Sequence, residues 1–179
     1  MNFVVTAGHG GRDPGNTWGG MSEAELMTDL RNIVALKLRQ QGHIVTEDKR
    51  DGQRNLPLAA ALALIKSGTV SIELHTNAST NLNAEGVEVI APATKKELAQ
   101  KLAAAIAKVL EIPVRRKAGW FPLTDFKSER GFSAGFARRG GLIIETFFQS
   151  NNEELTKYLD RKWLVGSAIA ATLNELAHD

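Results

Sequence analysis

Three short stretches with strand character, residues 2–7, Thr69–His75 and Leu142–Thr146, constrain this chain most, because each leads into or carries an ionisable side chain. The first runs into Gly8-His9-Gly10-Gly11, the second ends on His75, and the third carries Glu145 after Leu142-Ile143-Ile144. Between them lie segments with helical spacing. Strands alternating with helices predict an α/β fold: a single domain with a largely parallel mixed sheet flanked by helices. In such sheets ligands gather beyond the carboxyl ends of the strands, so His9, His75 and Glu145 are expected along one edge.

The helices are marked by their ends. Ser22 reads as an N-cap with Glu25 completing a capping box, and Leu26, Leu30, Ile33, Val34 and Leu38 recur at helical spacing up to Gly42. A strand is predicted from His43 to Thr46. Pro57 opens a helix reaching Lys66, with Gly68 as its stop; Gly86 to Ile90 reads as a strand, Lys95 to Leu110 as an amphipathic helix and Glu154 to Ala177 as the last helix. No internal repeat or low-complexity tract is visible, and 1–179 is expected to be one catalytic domain without a separate wall-binding domain.

At 179 residues the chain can bury a core without disulfides, and 43% hydrophobic with 23% charged residues is ordinary for a soluble globular protein. It contains no cysteine. Thiolate ligands and thiol nucleophiles are thereby excluded, and a metal must be held by His, Asp or Glu. The net charge of +2 gives weak support for polyanion binding, and no nucleic-acid motif accompanies it.

Catalytic zinc commonly takes two histidines and a glutamate and keeps a fourth position for water. His9, Glu23 and His75 supply that set, and Glu145 supplies a carboxylate able to move a proton, which together describe a hydrolase. Glu23 competes with Glu25, since both lie in the first helical turn, where acids are favoured by the helix dipole alone. Glu73 shares a strand face with His75; it is read as orienting that ring or as the proton shuttle itself. Asn77 is read as holding the turn after the strand or as touching substrate. His43 and His178 are read as structural or exposed. The glycine pattern around His9 fits neither the dinucleotide fingerprint nor the phosphate-binding loop.

Together, Gly8-His9-Gly10-Gly11-Arg12-Asp13-Pro14-Gly15, the spacing from Glu23 to Gly42-His43-Ile44-Val45, His75-Thr76-Asn77-Ala78, and Glu145-Thr146-Phe147-Phe148 followed by Asn151-Asn152 resemble the zinc-dependent type-3 N-acetylmuramoyl-L-alanine amidases, from Phe3 to about Leu176. The resemblance implies one Zn2+ on His9, Glu23 and His75, Glu145 as the catalytic acid/base, and peptidoglycan as partner. The implied substrate is the amide between the lactyl group of N-acetylmuramic acid and L-alanine. The family's ligand-to-glycine spacing selects Glu23 over Glu25. Departures from the common pattern are Thr6 and Ala7 in place of Asp and Pro, Gly140-Gly141 in place of a proline, and Glu73 in place of a serine. Rival readings are a zinc peptidase cutting another bond of the stem peptide, and a non-catalytic wall-binding module with structural zinc.

Phe3-Val4-Val5 follows Met1 without the charged segment and cleavage site of a secretory signal. The expectation is a protein made in the bacterial cytoplasm that acts on the wall after release, as a phage endolysin does. It is expected to be monomeric, with no stable membrane insertion. The least regular segment, from Pro113 to Gly140, holds seven Lys and Arg against Asp125 and Glu129, with five of the eleven aromatics. It is read as one wall of the substrate groove, its basic residues facing carboxylates of stem peptides or anionic envelope polymers.

Overall fold

The computed structural model describes residues 1–49, 55–66, 69–126 and 134–177. Its centre is a six-stranded sheet made of β1 (Asn2–Ala7), β4 (Ile44–Glu47), β5 (Thr69–Asn77), β6 (Glu88–Ala91), β7 (Trp120–Pro122) and β8 (Leu142–Phe148) in the order β4-β1-β5-β8-β6-β7. The first four in that order run parallel; β6 pairs antiparallel with β8, and β7 runs parallel to β6. The α/β reading with a largely parallel mixed sheet therefore holds. β2 (Thr17–Trp18) and β3 (Met21–Ser22) form a separate small hairpin.

Central parallel strands are covered on both faces, which is why β1 and β8 are almost continuously apolar rather than alternating. On one face pack α1 (Glu23–Gln40), α3 (Lys96–Leu110) and α5 (Asn152–Glu175), which bury Leu30, Val34, Leu102, Ile106 and Ile169 against Val5, Leu74 and Ile144. On the other, α2 (Leu58–Ala63), α4 (Gly135–Arg138) and the residues after β7 bring Leu62, Phe126 and Phe136 onto Val4, Ile90 and Ile143. This second cover is smaller. Beyond it the same sheet face carries the polar residues.

The caps explain where the helices begin and end. Ser22 accepts from the Glu25 backbone while the Glu25 carboxylate accepts from the Ser22 backbone, the capping box expected from sequence. Gly42, at φ 84°, turns the chain out of α1 into β4. α5 begins two residues earlier than its periodicity predicts, because Asn151 caps it by accepting from Glu153 and Glu154. α2 stops at Ala63 rather than Lys66, as Leu64 and Ile65 tighten onto Ala61 and Leu62. The predicted stop at Gly68 lies outside the described residues, as does His178. The segment 113–140 is less irregular than its sequence suggests, since it contains β7 and α4. Both are too short to leave a periodic signal. No helix among the described residues is long and apolar enough to cross a membrane.

Helices α1 and α5 cross closely at Gly166, where a Cβ would overlap Ile33. Gly166→Val is expected to cost about 2 kcal/mol through overpacking. The thermal midpoint should then drop by roughly 4–8 °C, as read by differential scanning calorimetry.

Candidate active site

Four loops and strand ends bring the polar residues together. β1 delivers the chain to Gly8, whose amide donates to the Leu74 carbonyl, and His9 follows with a left-handed backbone at φ 62°. Asn55 stabilises that turn by donating to the His9 carbonyl at 3.0 Å, and is itself held by the buried Arg31, which also pairs with Asp48 at 2.9 Å. Glycine is required at two neighbouring positions for space. A Cβ at Gly8 would collide with the His75 ring, and one at Gly15 would come within 2.6 Å of His9 and 2.7 Å of Glu23. The sequence marks these glycines as loop formers; the fold uses them to let backbone approach the site.

Glu23 opens α1 between the two imidazoles. Its Oε2 lies 3.3 Å from His9 Nε2 and its Oε1 lies 3.0 Å from His75 Nδ1. The carboxylate also accepts from the Thr76 amide at 2.8 Å and from the Asn16 backbone and side chain at 3.0 and 2.9 Å. Glu25 is exposed and occupied in the cap. One donor atom from each of His9, Glu23 and His75 falls within 4.8 Å of the others, a spacing that fits one metal ion.

Each imidazole has its far nitrogen against another carboxylate: His9 Nδ1 is 2.9 Å from Asp13 Oδ2, and His75 Nε2 is 3.2 Å from Glu73 Oε2. Carboxylates behind metal-binding histidines fix their tautomer and orientation. Glu73 stands where the sequence placed it, on the face of His75. Asp13 was not singled out from sequence, although its spacing of four from His9 within a tight loop is a signal that could have found it.

Glu145 is paired with His75 across β5 and β8. It stands in the middle of β8 rather than at its end, because the strand continues to Phe148 past an irregularity opposite His75 and Asn77. The residue is 5% exposed, and one carboxyl oxygen, the buried Oε2, has no hydrogen-bond partner among the described residues. Burial pushes its pKa up to about 8, against the lowering effect of His75. Burial alone would lower the pKa of His75, but its contacts with Glu23 and Glu73 outweigh that and raise it well above the ordinary value. For Glu23, burial pushes upward while His75 and the other donors win, leaving the carboxylate lowered.

These shifts predict how the metal-free protein responds to pH. Glu145 is raised in the fold, so the stability it contributes is intact below the ordinary value of 4.5 and is lost as pH rises through about 8. His75 is also raised, so its contribution is full below 6.5 and is likewise lost as pH climbs through the folded value. The two effects have the same sign. The thermal midpoint of chelator-treated protein should fall as pH rises from about 4.5 through about 8, and Glu145→Gln should flatten part of that fall.

A cavity of about 800 Å³ opens beside this cluster, lined by His9, Glu23, Asn77, Glu88, Arg116 and Glu145 among others. Phe121, Phe126 and Arg115 belong to its wall, so the part of the 113–140 segment that is described does border the groove. Residues 127–133 lie outside the described residues. Asn77 has two contacts, accepting from the Ala78 amide at 3.0 Å and donating to Glu88 at 3.1 Å. His43 is away from the site, bonded to Asn174 at 2.8 Å and edge-on to Phe3.

A parallel sheet whose carboxyl edge gathers two imidazoles, a buried carboxylate between them and a second carboxyl with an unpartnered oxygen has the make-up of a metal-assisted hydrolase. The comparisons narrow this class. The chain belongs to the N-acetylmuramoyl-L-alanine amidase family, whose model matches residues 3–175, and is accordingly an amide hydrolase. A structure from Neisseria meningitidis assigned as an N-acetylmuramoyl-L-alanine amidase is 35% identical, with a TM-score of 0.88 over 99% of this chain and 96% of that one. The amidase AmiC2 of Nostoc punctiforme (20% identity, TM-score 0.80, 100% and 98% covered) and an amidase from Clostridium difficile 630 (23%, 0.78, 99% and 97%) share the fold. No curated protein matches the chain.

Proposed function

We propose that this protein is a zinc-dependent peptidoglycan amidase that cleaves the bond between the lactyl group of N-acetylmuramic acid and the L-alanine of the stem peptide. The observation that carries the reading is the convergence of His9, Glu23 and His75 within 4.8 Å, at a cavity into which the buried Glu145 also opens. The donor set suits zinc, since two imidazoles and a carboxylate are the three-ligand set of many hydrolytic zinc sites. Glu23 would bind through the oxygens that now contact both rings, while Asp13 and Glu73 keep the rings oriented. When bound, zinc supplies Lewis acidity, which acidifies a water and polarises the scissile carbonyl.

The remaining chemistry belongs to Glu145. Its carboxylate, which belongs to the cavity wall, accepts a proton from the attacking water. A pKa raised by burial makes that carboxylate a stronger base than an exposed one, and a neighbouring cation draws it back toward neutrality. The water's oxygen adds to the carbonyl carbon. Glu145 then returns the proton to the alanine nitrogen as the C–N bond breaks, giving the lactyl carboxylic acid and a free amine.

Purified walls incubated with wild-type protein should lose turbidity and release intact stem peptides with N-terminal alanine. Chelator-treated protein and Glu145→Ala should release none. Fragments cut inside the stem peptide would replace this reading with that of a zinc peptidase. The lysis setting, with synthesis in the cytoplasm and action on the host wall after release, has its own test. Cells expressing the protein should clear only when the membrane is permeabilised, and clearing without permeabilisation would contradict it.

A further inference from the structure

Two arginines in the groove converge on a single carboxylate and leave positive charge over. Glu88 Oε2 lies 2.5 Å from Arg116 Nε and 3.4 Å from Arg115 Nε, while Glu88 Oε1 accepts from Asn77. Arg115 is further tied by donating to the Glu85 carbonyl at 2.9 Å and packs over Phe148. Arg116 differs. Its guanidinium lies 3.7 Å over the Phe121 ring and is fixed at Nε, yet among the described residues its terminal nitrogens hold no hydrogen bond. The side chain is 43% exposed and faces the cavity shared with Glu145. The next cation, Lys117, is already paired with Asp125 at 3.2 Å. Among the described residues, the two arginines and Glu88 therefore leave one net positive charge, presented as a preoriented planar fork.

We infer that Arg116, held by Glu88 and Phe121, recognises a carboxylate on the residue that follows alanine in the substrate peptide, so that a free acid there is preferred to a carboxamide. This rests on the amidase reading. The placement suits it, because Glu88 is the direct cross-strand partner of Glu145. Directly opposed residues in an antiparallel pair are about 5 Å apart at Cα. A carboxylate on the second residue of an extended peptide lies roughly 6–7 Å from the scissile nitrogen, within reach of the Arg116 fork. A second cavity, of about 460 Å³, lies on the other side of His9 and Asp13 and is lined by Leu56, Pro57, Leu58 and Glu73; among the described residues, Arg12 is the one Lys or Arg on its wall. That side suits the sugar; the basic side suits the acidic peptide.

The test uses the tripeptide L-alanyl-γ-D-glutamyl-L-lysine, with the α-carboxyl of the second residue free or amidated, titrated into zinc-loaded protein by calorimetry. Wild type should bind the free acid roughly 10-fold or more tighter than the amide. Arg116→Gln should lose most of that preference, and Arg116→Lys, which keeps charge without the fork, should retain part of it. Equal affinities in wild type, or a loss in Arg116→Gln that is the same for both peptides, would overturn the inference. Arg116→Lys decides the matter if Arg116→Gln melts abnormally early. Wild-type cleavage of the two muramoyl tripeptides separates the readings: cleavage without preference removes this inference and leaves the amidase, whereas selective binding without cleavage removes the amidase alone.

Discussion

Glu145→Gln is expected to lower the rate of wall hydrolysis by roughly 10²- to 10⁴-fold while leaving one zinc ion bound per chain, as read by amide release and metal analysis on the same preparation. The amide keeps the size of the side chain but cannot accept and return a proton. Because the native carboxyl is buried with one oxygen unpartnered, the substitution does not break an ion pair on which the fold depends. The metal should stay, since His9, Glu23 and His75 keep their own contacts behind the site. Loss of zinc together with activity would assign Glu145 to the ligand set and remove the proton-transfer role.

The second large effect is expected at Glu23. Glu23→Ala should strip the protein of zinc on dialysis and abolish hydrolysis, because its two oxygens are the atoms that face both imidazoles. It also leaves the Thr76 and Asn16 backbone amides without their acceptor, so part of the loss will appear as a lower melting temperature. Glu25→Ala serves as the comparison. It removes the side-chain half of the capping box, leaving the Ser22 hydroxyl on the residue 25 amide, and should keep the metal and the activity. Retention of zinc in Glu23→Ala and its loss in Glu25→Ala would reverse the choice between the two acids.

Glu23 and Glu25 show where sequence reasoning reaches and where it stops. Both are acids in a first helical turn, and only the cap contact of Glu25 and the family spacing distinguish them along the chain. In the fold the difference is plain: Glu23 is 1% exposed between two rings, and Glu25 is at the surface. His9, His75 and Glu145 were legible because each follows or interrupts an apolar strand, where an ionisable group is costly unless it is used. Arg116 and Asn16 gave no such signal. They lie in loops, where charged and polar residues are ordinary, and their partners are set by chain segments distant in sequence, as Arg116 with Glu88 and Asn16 with Thr76 demonstrate.

The amino-acid order by itself determined the alternation of buried strands and capped helices, and hence a parallel-centred sheet with ionisable groups near one edge, because periodicity and cap chemistry are local properties. Only the tertiary structure decided which carboxylate stands between the histidines, that Glu145 is buried beside the groove, and that Arg116 turns its fork into it. Those are distances between residues far apart in the chain, fixed by how β1, β5, β8 and α1 pack rather than by any one segment.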